Sequence, residues 1–347
     1  MPDRSSTATG TRGRSGVAAL RASSQPMSAV DLFDDEDPLL PSPPPPFSGI
    51  RLPDRRTLAW AEYGNPRGLP CLVIPDAGSS RLAPTWFLHD AAVPAPIRLL
   101  AIDRPGAGAS DPVGIGGRED LADDLLHMVE TLAVGRVAVI GLGHGVDDAL
   151  AFADRHPGLV TAVIGVSART AAVIPEQPGT RRLLPHRSQP WDGPLLDWAR
   201  AAGRADLTRE LTWRRALDRM STDASAALGE RWREPDFRAA VAADLLLGVP
   251  DRDRRSRPSA REPWWTRRWS ATVPVHLWHG RQEWATHVSV IRAVADHRAG
   301  WDVLVVPGCS ALLGFWPELF LQAQRSFATR NPDIDPSTGD GQELALT

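Results

Sequence analysis

Six short apolar runs, each bounded by glycine, proline or an acidic residue, constrain the fold of this chain more than any other feature. They are Cys71–Ile74, Ile97–Ile102, Val137–Ile140, Ala162–Val166, Val273–Trp278 and Val303–Val306. A strand with one wet face alternates apolar and polar residues, whereas an unbroken apolar run belongs to a strand covered on both faces, as in a parallel sheet. Amphipathic segments fill the gaps. Leu121, Leu125, Met128, Val129 and Leu132 recur at helical spacing, as do Trp316, Leu319, Phe320 and Phe327. Strand–helix alternation predicts an α/β chain with a doubly wound, mostly parallel sheet.

The rhythm breaks between 172 and 271. That interval carries helix-like segments, proline breaks and seven of the thirteen tryptophans, with no strand pattern. We expect a helical cap there, inserted between the sixth and seventh core strands, with the core formed by 48–171 and 272–330. Residues 1–47 run from a Ser/Thr/Gly/Arg stretch through Asp34-Asp35-Glu36-Asp37 to a proline cluster, a composition read as a disordered N-terminal segment. Met27 offers a second candidate start beside Met1. Residues 331–347 are polar and hold Pro332 and Pro336, which reads as a tail.

Composition excludes several classes. A net charge of −3 and a pI near 6.3 argue against a nucleic-acid binder or a polybasic membrane protein. No apolar run nears the roughly 18 residues that span a bilayer. Val17–Leu20 is too short for a secretory core, and Cys71 and Cys309 make no disulfide framework, so a cytoplasmic chain is expected. Every one of the 39 basic residues is arginine, which leaves no lysine for a base, a Schiff base or a phosphate-binding loop.

Four stretches carry a resemblance. Leu52–Gly64 is similar to an opening hairpin of bacterial proteins of one superfamily. Asp103-Arg104-Pro105-Gly106-Ala107-Gly108-Ala109-Ser110-Asp111 is similar to its loop after the fourth strand. Pro274–Gly280 is similar to its strand before the acid loop, and Val305-Val306-Pro307-Gly308 to its last strand. In this order and spacing the chain resembles the α/β-hydrolase fold superfamily from about Ile50 to Arg330. The resemblance implies an α/β-hydrolase sheet with a helical cap, and chemistry from a serine on a strained strand-to-helix turn, a histidine base and a carboxylate. Two backbone N–H groups, one just after the nucleophile and one after the third strand, would stabilise the oxyanion.

At the chemistry the sequence departs from that pattern. The elbow reads Gly141-Leu142-Gly143-His144-Gly145, with Gly143 at the nucleophile position. Glu283, three residues after Gly280, keeps the acid position. Ala311, after Pro307-Gly308-Cys309-Ser310, stands where the base belongs. The third-strand loop reads Pro75-Asp76-Ala77-Gly78 in place of His-Gly, and an ionised Asp there would repel a developing oxyanion. Loss of the serine or histidine alone removes about 10⁶ of rate in a triad hydrolase, leaving roughly 10³–10⁴ over water. No triad is intact, and Asp76, Ala77, Gly78 and His144 are the pocket candidates.

His144 reads as a relocated base, a ligand contact or a packed side chain. His287 follows Glu283 but lies on the wrong connection for a base. Cys309 reads as a packed or surface thiol and Ser110 as a turn residue. His276 and His279 point to opposite faces of one strand and cannot share a metal; no metal and no cofactor is expected. Gly141-x-Gly143 follows a strand but has Val146 where a dinucleotide fingerprint needs a third glycine. Residues 251–269 interleave seven arginines with Trp264, Trp265 and Trp269, which suits an anionic partner, a membrane surface or a solvated loop packed by its tryptophans. The function expected is a catalytically degenerate hydrolase relative that binds a small apolar ligand or a protein partner. The alternative is an active hydrolase of a small ester, amide or epoxide using relocated residues such as His144 and Glu283.

Overall fold

The computed structural model describes residues 45–88, 92–113, 121–169, 231–248, 269, 272–281, 283, 286–307 and 315–330. The chain order is β1 (Phe47–Arg51), β2 (Thr57–Gly64), β3 (Leu69–Ile74), α1 (Ala83–Phe87), β4 (Ile97–Ile102), α2 (Leu121–Thr131), β5 (Val137–Leu142), α3 (Gly145–Arg155) and β6 (Val160–Val166). Then come a single 3₁₀ turn (Arg231–Arg233), α4 (Pro235–Gly248), β7 (Val275–Gly280), α5 (Val288–Ala295), β8 (Trp301–Val306) and α6 (Trp316–Arg330).

All eight strands join one sheet in the order β1-β2-β4-β3-β5-β6-β7-β8. β1 and β2 form the expected hairpin, and β2 lies antiparallel to β4; every other pair is parallel. β3, β5 and β6 are buried at every position, which is why their sequences are unbroken apolar runs. Edge strand β8 is mostly half-buried.

Helices cover both faces. Leu121, Leu125 and Met128 of α2, Val146, Leu150 and Phe152 of α3 and Ile291 of α5 close one core; Phe87 of α1 with Trp316, Leu319 and Phe320 of α6 closes the other. Trp316 stacks on Phe87 at 4.0 Å between ring centroids.

Strand limits differ from the sequence reading in a consistent way. β5 runs to Leu142 instead of stopping at Ile140, because Gly141 and Leu142 still pair with Gly165 and Val166 of β6. β7 is shifted to 275–280, since its ladder with β8 continues through His279 and Gly280. Pairing partners, not apolar runs, set where strands end. β1 opens at Phe47, whose buried ring lies under the Arg81 guanidinium at 4.2 Å.

Within the 172–271 interval, the described α4 packs on α1 and on the loop after β3. The Leu247 carbonyl accepts from Gly108 N–H at 2.8 Å, tying α4 to the loop after β4 as well. Among the described residues no helix is long and apolar enough to cross a membrane.

Candidate functional site

Strand order turns at β3, whose neighbours β4 and β5 leave in opposite directions. In an open parallel sheet this opens a crevice past the carboxyl ends of the strands. Asp76 follows β3, Gly143 and His144 follow β5, and Ser167 to Arg169 follow β6, so the topology delivers all of them to one crevice.

The turn from β5 to α3 is a tight strand-to-helix turn with Gly143 at its tip. Gly143 has φ +55, a conformation that costs a side-chain-bearing residue strain. Gly145 permits the tight packing behind it, since a Cβ there would stand 2.3 Å from the Ile74 carbonyl oxygen. A Cβ on Gly143 would stand 2.4 Å from Asp76 Cγ. The Asp76 carboxylate thus occupies the space into which a side chain at the elbow would project.

That carboxylate also takes two backbone N–H groups, one from the loop after β3 and one from the turn after β5. Ala77 N–H and His144 N–H, each 2.8 Å away, both donate to Asp76 Oδ1, and His144 Nδ1 lies 2.7 Å from the same oxygen. Arg169 places its guanidinium 3.1 Å from Oδ2. Burial alone would raise the Asp76 carboxyl. The charges of Arg169 and His144 and the hydrogen bonds from His144 outweigh it and hold the group well below the usual carboxylate range. The site therefore carries a fixed, compensated anion at the N-terminus of α3. The His144 side chain is 38% exposed, and its Nδ1 is the ring nitrogen turned to the carboxylate.

Neighbouring loops brace this arrangement. Arg104 donates to Asp148 of α3 at 2.5 Å and to the Pro75 carbonyl at 3.2 Å, joining the loops after β3 and β4 to α3. Asp244 of α4 accepts from Ser79 Oγ, Ser80 N–H, Ser80 Oγ and Trp86 Nε1 at 2.7–2.9 Å. With no cation among these donors, burial pushes its carboxyl up to about 6.

Glu283, at the acid position, is buried. Its Oε2 accepts from Gly280 N–H at 3.0 Å and lies 3.3 Å from His279 Nδ1. Burial pushes the carboxyl up to about 7 against the Gly280 and Ser167 hydrogen bonds and the Arg169 charge, and Asp76 adds to the rise. Ser167 holds a left-handed backbone with φ +51, and Arg169 N–H donates to the Gly143 carbonyl at 3.2 Å.

The structure brings Asp76, Ala77, Gly143 and His144 together and sets Glu283 behind Arg169, while Gly78 opens the turn toward Ser79. Ala311, Ser310 and Cys309 lie outside the described residues, as does all of 251–269 except Trp269, which packs edge-on against Trp301 at 5.4 Å. His287 caps α5 by accepting from Ser289 N–H. Ser110 is buried, donating to the Asp103 carbonyl and accepting from Ala59 N–H. His276 pairs with Asp302 and Gln322, while His279 is buried against the Thr286 carbonyl. Among the described residues no cluster of His, Cys, Asp and Glu could hold a metal ion.

Sequence reasoning missed Arg169, His279 and Asp244. A lone aspartate inside the apolar run of α4 was a legible sign. Arg169 had none, because only the adjacency of β5 and β6 brings it to Asp76.

The chain is similar to proline iminopeptidase of Neisseria meningitidis, 28% identical over 159 residues, which is 43% of this chain and 50% of that protein. A probable proline iminopeptidase of Streptomyces coelicolor is 29% identical over 127 residues, 34% of this chain and 39% of its own length. The chain thus spans about half or less of the length of these curated relatives. No family model matches it. Naproxen esterase (carboxylesterase NP) from Bacillus subtilis superposes with a TM-score of 0.52 at 17% identity, over 87% of this chain and 94% of that one.

Proposed function

We propose that this chain, which has the α/β-hydrolase fold, is a catalytically degenerate member that works by binding, with its oxyanion donors closed by its own Asp76. The observation that carries the reading is one overlap. The Asp76 carboxylate stands within 2.4 Å of a Cβ built at Gly143 and takes both Ala77 N–H and His144 N–H. A substrate carbonyl finds neither a nucleophile nor an uncommitted pair of donors there, and a developing oxyanion meets an ionised carboxylate. The occupant we favour is a small apolar ligand beneath a helical cap formed by 172–271. Its support is α4, which Asp244 pins over the loop after β3. A protein partner recognised through 251–269 is the other occupant.

A second reading draws on the 2.7 Å Asp76–His144 contact, because a carboxylate-oriented imidazole is the geometry of a general base. Hydrolysis of p-nitrophenyl butyrate separates the two. Wild type is expected at buffer background. Gly143→Ser/Ala311→His stays there, since Asp76 still fills the serine's space. Adding Asp76→Gly frees the space and both donors, and raises the rate by about 10²-fold or more. Saturable wild-type turnover that collapses in His144→Ala would overturn the degenerate reading and install the relocated base.

A further inference from the structure

The acid position has been rebuilt around a partner on its own strand. His279 Nε2 lies 2.6 Å from the Thr286 carbonyl oxygen, which can only accept, so Nε2 carries a hydrogen. In a neutral imidazole the lone pair then sits on Nδ1, which is buried without a hydrogen-bond partner and lies 3.3 Å from Glu283 Oε2. A lone pair facing a carboxylate oxygen is repulsive; a proton between them makes the contact attractive. His279 and Glu283 are both buried, and burial penalises a charge on either, so the neutral pair, with the proton on Glu283, is the favoured state.

We infer that Glu283 and His279 form a one-proton switch behind the elbow, whose deprotonation sets a second negative charge beside the Asp76–Arg169 pair. The inference goes beyond the binding reading and does not depend on it. Glu283 is faced by Arg169 and Ser167 from the segment after β6, by Asp76 from the loop after β3 and by Gly280 N–H. His279 is faced by Thr286 and by His287 at the start of α5. Arg169 favours the charged carboxylate, whereas burial and Asp76 oppose it. Burial places the Glu283 transition at about 7 and pushes the His279 imidazole down, so the proton leaves near neutrality and His279 stays uncharged. Loss of the proton adds one negative charge to a cluster in which Arg169 and His144 already face Asp76.

The sign follows from linkage. A carboxyl raised on folding contributes stability while protonated, and that contribution fades as pH rises from its unfolded value, near 4.5, to about 7. The experiment uses the full chain, wild type and Glu283→Gln, whose amide can donate to Nδ1 at any pH. Two readouts are taken between pH 4.5 and 8.5: ring ¹⁵N chemical shifts of His279 and the unfolding equilibrium in urea. The expected result is a His279 ring that stays in the Nε2–H form and shows one Nδ1 step near pH 7, absent in Glu283→Gln. The wild-type unfolding constant rises relative to the variant by about 100-fold across the range. A step that survives in Glu283→Gln, an imidazolium signature at pH 5, or parallel unfolding curves would overturn the inference. If Glu283→Gln fails to fold, His279→Gln takes its place. There the His279 readout is lost, but an unfolding curve that still tracks wild type would count against the switch.

Discussion

Asp76 and Asp244 each collect four donor contacts at 2.7–3.1 Å, and they behave as opposite acids. At Asp244 every donor is neutral: two hydroxyls, one backbone N–H and one indole. Its side chain is sealed beneath α4, at 1% exposure, and burial wins. At Asp76 one donor is the Arg169 guanidinium and another the His144 ring, the side chain stays 15% exposed, and the ionised form wins. At these two carboxylates the contacts are equal in number, and the balance of burial against nearby positive charge separates them. The difference also separates their roles. Asp244 clamps α4 to the loop after β3 and to Trp86 of α1, while Asp76 is, on the reading we propose, a charged plug in the crevice.

The largest effect that tests this contrast is Asp244→Ala. It leaves four donors without their acceptor, three of them buried, and a loss of about 3–5 kcal/mol in urea unfolding is expected. A loss below 1 kcal/mol would mean that the clamp is not buried as described. Next comes the pH dependence. Asp244 moves from 3.8 to about 6 on folding, so stability should fall by about 3 kcal/mol as pH rises through that window. Asp244→Asn should flatten this fall. Asp76 has the opposite sign: its folded value lies below the unfolded one, so its contribution is present above pH 4 and lost on acidification, and Asp76→Asn should remove that acid-side loss. The smallest effect is expected for Asp76→Ala, about 1–3 kcal/mol, because the crevice admits water and anions. Formate is the natural probe there. At tenfold its Kd it should restore about 1.4 kcal/mol in Asp76→Ala and nothing in wild type. Formate that stabilises both proteins equally would erase the distinction between plug and clamp.

The legible part of this molecule is the part written in local pattern. Continuous apolar runs announced β3, β5 and β6 because those strands are covered on both faces, and 3.6-residue spacing announced α2 and α6 because each buries one stripe. The elbow was legible too, since Gly141, Gly143 and Gly145 stand together where a strand meets a helix. Asp76 was flagged as a misfit for an oxyanion site, from its charge alone.

Its actual role was not legible. That Asp76 enters the space above Gly143 and takes Ala77 N–H and His144 N–H depends on β3 lying beside β5, which joins Asp76 to a residue 68 positions away. Arg169 reaches the same carboxylate only because β6 is the next strand over. Glu283 turns to His279 because one tight loop folds it back on its own strand. Periodicity by itself determined an alternating α/β chain with a mostly parallel sheet, because burial on one or both faces is a local property; Gly143 as a nucleophile position came only from the resemblance to the α/β-hydrolase fold superfamily. Which charges neutralise one another was decided by the tertiary structure alone, because electrostatic partners are chosen by distance in space and sealed by burial, and neither is written along the chain.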